Sequence, residues 1–284
     1  MSRIVCVNNK FLSEEDAKIS IFDRGLLFGD SVYEVTTVIN GLLVGWEPHL
    51  KRLKRSLKNL GINFLISDQE LLTLHKEIVR KNNIDQGLIY MQISRGVCDR
   101  DFLFDNSTEP TLIIFSQKEN ILTPTNAKNG IKVIFDEDIR WGRRDIKTTQ
   151  LLAASLCKTK AKKLGKDDAW MIQDGHITEG TSNNAFIINK QNKIITRNLS
   201  NDILPGINRS ILLKLIEKKK MNFEERPFTI SEAENAIEAF VTSASCMVTP
   251  VIEINNKIIA DGKPGSLTRK LRKVFIEESI KNAI

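Results

Sequence analysis

Four stretches of this 284-residue chain hold residue types that do chemistry. The first, "EDIRWGRRDIKTTQLLA" (Glu137 to Ala153), places Lys147 after Arg140, Arg143 and Arg144. A lysine amine ordinarily titrates near about 10.4, so a nucleophilic amine at neutral pH needs an environment that disfavours its charged form. A helix from about Thr149 to Leu164, with Thr148 or Thr149 as N-cap, would put Lys147 at the positive helix end beside three cations. A solvated lysine at a helix start uses the same residues without chemistry. The second stretch, "ITEGTSNNAFI", sets Glu179 at a strand end beside Gly180, Thr181, Ser182 and Asn183. That carboxylate is either a turn residue or a buried anion facing a protonated ligand nitrogen, with hydroxyl and amide donors around it.

The other two stretches suit an anion. In "ILPGINRS" a Pro-Gly pair precedes a helix, which exposes the amides of Ile207 and Asn208 at a positive terminus. Asn208 or Ser210 as a plain N-cap is the alternative. "VTSASC" ends a strand with Ser243, Ala244 and Ser245 at its lip. Arg52, in "PHLKRLKRS", is one of several cations on a helix and is surface charge unless it faces inward, where a phosphate dianion would suit it.

Elements to position these residues can be read from periodicity. A hairpin is expected around Asn8-Asn9 and a second strand pair around Asn40-Gly41. Helices follow from about Pro48 to Asn59, stopped by Gly61, and from about Asp68 to Asn82. "GLIYMQISRG" and "TLIIFSQ" return to strand. "KENILTPTNAKNG" has no periodicity and marks a boundary, which gives a smaller domain over 1–118, a linker over 119–128 and a larger domain over 129–284. The second part alternates strand and helix: "IKVIFDE", the Lys147 segment and its helix, and a meander turning at Asp174-Gly175 and Gln191-Asn192. A helix at "PGINRSILLKLIEKKK", the strands "EAFVTSAS" and "VTPVIEINNKIIADG", and a C-terminal amphipathic helix complete it. The fold class is mixed α/β (α+β) in two domains.

Composition narrows the function. Hydrophobic content of 41% and charged content of 27% are those of an ordinary globular protein. No apolar run approaches the roughly 20 residues of a membrane span, and the first residues lack a signal-peptide pattern, so a cytoplasmic location without membrane partners is expected. Cys6, Cys98, Cys157 and Cys246 are far apart and unaccompanied by His, which argues against a metal site or a disulfide framework. The net charge of +7 is spread over outer helix faces without interleaved aromatics. That pattern fits attraction of small anions better than nucleic-acid binding. A basic, non-catalytic interaction protein is the contrasting class, and it would bind RNA in a salt-dependent way.

Taken in order, "DRGLLFGDSVYEV", "PHLKRL", "EDIRWGRRDIK", "ITEGTSNNAF" and "FVTSASCMVTPVIEINNKIIADGKPG" resemble the fold-type IV pyridoxal-phosphate enzymes. Within them the likeness is to the bacterial D-amino-acid (D-alanine) aminotransferases, and it covers practically the whole chain. The resemblance implies two α/β domains with pyridoxal 5′-phosphate in the cleft between them. It assigns Lys147 the Schiff base and Glu179 the protonated ring nitrogen. Arg52, the Ile207 and Asn208 amides, Ser243 and Ala244 would take the phosphate, Leu204 would pack on the ring, and Thr181 and Ser182 would line the cofactor.

Tyr33 and Arg100 match residues that hold a substrate α-carboxylate, with Arg100 supplied by the partner of a homodimer and Ser245 nearby. Two departures stand out: Ala244 where the family usually has Thr, and Phe102 where D-alanine aminotransferases commonly have His. The activity implied is transamination between a D-amino acid, such as D-alanine, and a 2-oxo acid, such as 2-oxoglutarate. Branched-chain L-amino-acid aminotransferases, (R)-amine transaminases and aminodeoxychorismate lyases of the same fold are the alternatives.

Overall fold

The computed structural model describes residues 2–104 and 107–284. The chain divides into two compact units. The first comprises Met1–Ile121, Ile146–Gln150 and Ile280–Ile284; the second comprises Leu122–Asp145 and Leu151–Ser279.

The first unit opens with the hairpin β1 (Ile4–Val7) and β2 (Lys10–Ser13). Its turn residues Asn8 and Asn9 both take positive φ, as the tight hairpin turn requires and as Asn tolerates. A short helix α1 (Arg24–Phe28) leads into β3 (Ser31–Ile39), which turns back through Asn40-Gly41 into β4 (Leu42–Val44). Helices α2 (Trp46–Leu60) and α3 (Asp68–Lys81) follow, then β5 (Gln86–Ser94) and β6 (Thr111–Lys118). The strands make one antiparallel sheet in the order β2-β1-β6-β5-β3-β4.

Helix α2 begins two residues before the expected Pro48 and stops where expected, at Gly61, whose φ of 65° lets its N–H reach the Leu57 carbonyl. Helix α3 starts with a capping box made by Ser67 and Glu70. Trp46, Leu50, Leu53 and Leu57 form the apolar stripe of α2 and pack with Leu71, Leu74 and Ile78 of α3 against Ile89, Met91 and Ile93 of β5.

The second unit contains α4 (Thr125–Asn129), β7 (Ile131–Glu137), α5 (Leu152–Lys163), β8 (Asp168–Gln173), β9 (His176–Gly180), β10 (Asn184–Ile188) and β11 (Ile194–Thr196). It continues through α6 (Ile207–Lys218), β12 (Phe223–Glu225), α7 (Ile230–Glu234), β13 (Glu238–Ser243), β14 (Met247–Ile254), β15 (Lys257–Ile258) and α8 (Ser266–Lys281). Its mixed sheet runs β12-β11-β10-β13-β14-β7-β8-β9, with β15 on β14. The pairs β11–β12, β14–β7 and β7–β8 are parallel. Trp170, Ile187, Phe228, Val241 and Val251 are among the residues of its core.

Two findings differ from the sequence expectations. The segment Ile146–Gln150, with Lys147, groups with the first unit and not with the rest of 129–284. Its backbone lies along β3: Tyr33 N–H donates to the Lys147 carbonyl (3.0 Å), Thr149 N–H donates to Ser31 (3.2 Å), and Thr148 bridges Val32. Extended pairing and helical dihedrals exclude each other. The helix expected from Thr149 therefore begins at Leu152, and neither Thr148 nor Thr149 is its cap. Among the described residues no helix is long and apolar enough to cross a membrane.

Candidate active site

In the first unit the candidate residues gather on a polar stripe of α2. His49, Arg52 and Ser56 recur at i, i+3 and i+7 beside the apolar stripe and are buried. They meet Glu34, which alternation on β3 places on the same sheet face as Val32, under the helices. Arg52 grips the Glu34 carboxylate with both Nε (2.8 Å) and Nη2 (2.7 Å), and His49 Nδ1 lies 2.7 Å from the Glu34 Oε2. Burial alone would raise the Glu34 pKa, but the Arg52 charge and hydrogen bonds, with those of His49, hold it at about 2. Burial lowers the pKa of His49, the Arg52 and Lys147 charges adding to the effect against Glu34. A neutral His49 therefore donates its Nδ1–H to the carboxylate.

Ser56 Oγ accepts from the backbone N–H of Lys147 (3.4 Å), which hangs the lysine segment on the same stripe. The half-buried Lys147 extends its Nζ over the Tyr33 ring, 4.0 Å from the centroid. Tyr33 in turn stacks on Tyr90, and Tyr90 on Phe115. The ring face attracts a cation, at about 0.5–1 kcal/mol where solvent reaches it. The structure gives this Nζ no carboxylate among the described residues, so the amine is held without being consumed in an ion pair.

In the second unit Glu179 is buried at the end of β9. Its oxygens accept from Arg140 Nη1 (2.6 Å), Asn184 Nδ2 (2.9 Å) and the Leu204 backbone N–H (3.1 and 3.2 Å). Burial raises the Glu179 pKa, and the Arg140 charge and the Leu204 amide pull back against it. Arg140 also chelates Asp138 through Nε (2.9 Å) and Nη2 (2.7 Å). Burial disfavours its charge, yet the two carboxylates raise its pKa. A carboxylate so desolvated and so firmly oriented complements a cationic or N–H-bearing ligand.

Helix α6 starts at Ile207 after Gly206, an N-cap that offers no side-chain bond to the first-turn amides. A Cβ at 206 would sit 2.0 Å from Asn184 Oδ1, so a side chain there would displace the amide that donates to Glu179 and to the Leu204 carbonyl. Asn208 does not cap the helix. Its Nδ2 donates to the Ser243 carbonyl (2.6 Å) and ties α6 to the β13–β14 turn that holds Ser243, Ala244 and Ser245.

Arg100 lies on an exposed segment, its guanidinium 5.5 Å from the rings of Phe28 and Phe102, while Tyr33 goes with Lys147. Phe102 is 78% exposed. The Thr181 hydroxyl is spent on Asp168, joined there by Asn183 Nδ2 at 2.6 Å, and Ser182 is exposed. The arginines read as cations around Lys147 are each paired inside the second unit: Arg140 as above, Arg143 with Asp145 (2.9 Å), and Arg144 with Gln173 and Asp138. With the helix start moved to Leu152, the dipole argument for Lys147 also lapses, because that field fades within a turn. Residues missed from the sequence are Glu34, His49 and Asn184, together with Arg140 as the partner of Glu179. All of them lie inside the motif stretches, and nothing local marks their roles.

The amino-transferase class IV family profile matches residues 31–254. D-Alanine aminotransferase of Staphylococcus aureus (strain N315) is 37% identical over 272 residues, covering 95% of this chain and 96% of that protein. The Bacillus licheniformis D-alanine aminotransferase is 36% identical over 271 residues, 94% of each chain. Among solved structures, the Escherichia coli branched-chain amino acid aminotransferase superposes with a TM-score of 0.91 at 21% identity, over 98% of this chain and 95% of that one. The T.th. branched-chain amino acid aminotransferase with pyridoxamine 5′-phosphate does so at 0.89 and 23%, over 98% and 94%. With the profile spanning most of the chain, from β3 to the end of β14, this protein belongs to the amino-transferase class IV family.

Proposed function

We propose that this aminotransferase uses pyridoxal 5′-phosphate to exchange an amino group between a D-amino acid such as D-alanine and a 2-oxo acid such as 2-oxoglutarate. The observation that carries the cofactor reading is Glu179, a buried carboxylate held by three donors. Such a group answers a protonated pyridine nitrogen. The α6 amides behind an uncapped glycine answer a phosphate. Bound here, the cofactor supplies an aldehyde that takes up amines and a ring that accepts the Cα electron pair.

The chain's own residues do the rest. Lys147 would hold the cofactor through Nζ and, once displaced by the substrate amine, take the Cα proton and return it to the cofactor carbon. Tyr33, under that Nζ, keeps it oriented for both transfers. Glu179 would keep the ring nitrogen protonated, and Leu204, which aims its amide at Glu179, would pack on the ring. The phosphate would rest on the Ile207 and Asn208 amides, Ser243, Ala244 and Arg52, with Arg52 aligned by Glu34. Thr181 and Ser182 contribute the turn that follows Glu179.

Tyr33 and Arg100 would hold the substrate carboxylate, Arg100 from the partner in a homodimer, with Ser245 and Phe102 lining the substrate site and Phe102 adding no donor. The exposed apolar residues Ile21, Phe22, Leu26, Val97, Phe102 and Leu103 support that dimer. They sit on two strips joined by the Asp23–Val97 bridge, a patch suited to a second copy of the chain. We place the enzyme in the cytoplasm.

Preference for D-amino acids rests on the 34–37% identity to D-alanine aminotransferases over nearly the whole chain, against 21–23% for the branched-chain enzymes. An enantiomer-resolved panel on the cofactor-loaded protein decides it. D-Alanine with 2-oxoglutarate should react at least about a hundredfold faster than L-leucine, a difference of roughly 2.7 kcal/mol in transition-state binding. Preference for L-leucine or for (R)-amines would move the protein to another branch of the family. Pyruvate formed from aminodeoxychorismate without an acceptor would identify a lyase. Phe102→His should raise kcat/KM for D-alanine by about tenfold or more, since a hydrogen bond to a charged group contributes about 1.5–3 kcal/mol. An unchanged value would remove position 102 from the carboxylate site.

A further inference from the structure

The β13–β14 turn, assigned above to the phosphate, is held from behind by a buried cation. Register pairs Ser243 with Met247 and leaves Ala244, Ser245 and Cys246 in the turn. Met247 closes it at a φ of 57°, a left-handed conformation that glycine usually supplies in such hairpins. Something must hold a non-glycine residue there.

Arg272 of α8 does. Buried to 9% exposure, it donates Nη1 to the carbonyls of Cys246 (2.9 Å) and Val248 (2.8 Å) and Nη2 to that of Leu122 (3.0 Å). The Cys246 and Val248 carbonyls flank Met247, and the Leu122 carbonyl ties the same guanidinium to the segment that enters the second unit. Thr249 Oγ1 adds a bond to the Cys246 carbonyl (2.8 Å). On the other side, Asn208 fixes the Ser243 carbonyl to α6. The turn is thus gripped at both ends, by α6 at the phosphate side and by a rigid five-donor fork at the far side.

We propose that Arg272 is a positioning residue for the phosphate seat, setting the Ser243–Met247 turn against α6 without touching the cofactor. This rests on the pyridoxal-phosphate reading above. A lysine retains the charge, but one ammonium on a flexible stem cannot reproduce a planar fork serving three carbonyls.

The test compares cofactor-free wild type and Arg272→Lys, each titrated by absorbance with pyridoxal 5′-phosphate and with pyridoxal, which lacks the phosphate. The dissociation constant for pyridoxal 5′-phosphate should rise about tenfold in Arg272→Lys. That for pyridoxal should stay within about twofold, as should kcat at saturating cofactor. Arg272→Ala should show the same selectivity, and added guanidinium ion, unlike ammonium, should restore the phosphate-dependent part.

Equal weakening of both ligands, or no weakening of either, overturns the proposal. Failure of both variants to fold also overturns it, by making Arg272 a determinant of the fold and not of the seat. Wild type that binds neither ligand sinks the cofactor reading itself, whatever the variants do.

Discussion

With Lys147 replaced by alanine, oxo-acid formation from D-alanine is expected to fall by at least about 10⁴-fold, because the role proposed above would make one amine both the covalent anchor and the base that moves the Cα proton. Stability should hardly change. The side chain is half-buried, and its Nζ contact is the Tyr33 ring, at about 0.5–1 kcal/mol. The unfolding midpoint should therefore stay within a few degrees of wild type. Borohydride treatment of the loaded wild type should fix the cofactor to the peptide containing Lys147, and Lys147→Ala should carry no label. A label on any other lysine, or substantial turnover by the alanine variant, would move the chemistry away from position 147.

The second large effect falls on stability. Glu34→Gln leaves the Arg52 guanidinium buried, facing an amide in place of its bidentate carboxylate partner. Breaking a buried pair from one side costs about 3–5 kcal/mol, a large fraction of the stability of a typical domain. Urea denaturation at pH 7 would read it as a lower midpoint at an unchanged slope.

The same pair sets an acid limit. The Glu34 pKa falls on folding from 4.5 to about 2, so its contribution is fully present above pH 4.5 and is lost as pH drops towards 2. Two and a half units correspond to roughly 3 kcal/mol. That component should be absent from the acid limb of Glu34→Gln, and identical acid limbs would mean that Glu34 is not the titrating group. Because Arg52 is also proposed to meet the phosphate, the variant should bind the cofactor more weakly than wild type at pH 7.

The sequence alone determined whatever depends on neighbours a few residues away. Asn8-Asn9 and Asn40-Gly41 make hairpins because Asn and Gly accept positive φ. Gly61 ends α2 for the same reason, and the Ser67–Glu70 box starts α3. The stretches around Lys147 and Glu179 carried the family resemblance, which the family profile over residues 31–254 bears out. Only the tertiary structure decided which polar groups meet. Nothing local says that Arg52 turns inward and Arg55 does not, or that Glu34 lies under that turn 18 residues away. Thr148 and Thr149 read as helix caps by propensity, yet pairing with β3 holds them extended and delays the helix to Leu152. Arg140 reads as a neighbour of Lys147, and folding commits it to Asp138 and to Glu179, 39 residues on. Propensity is a sum of small local preferences, of a fraction of a kcal/mol each. A buried charge must find its counter-charge wherever the chain brings one, and that larger requirement settles the geometry of the site.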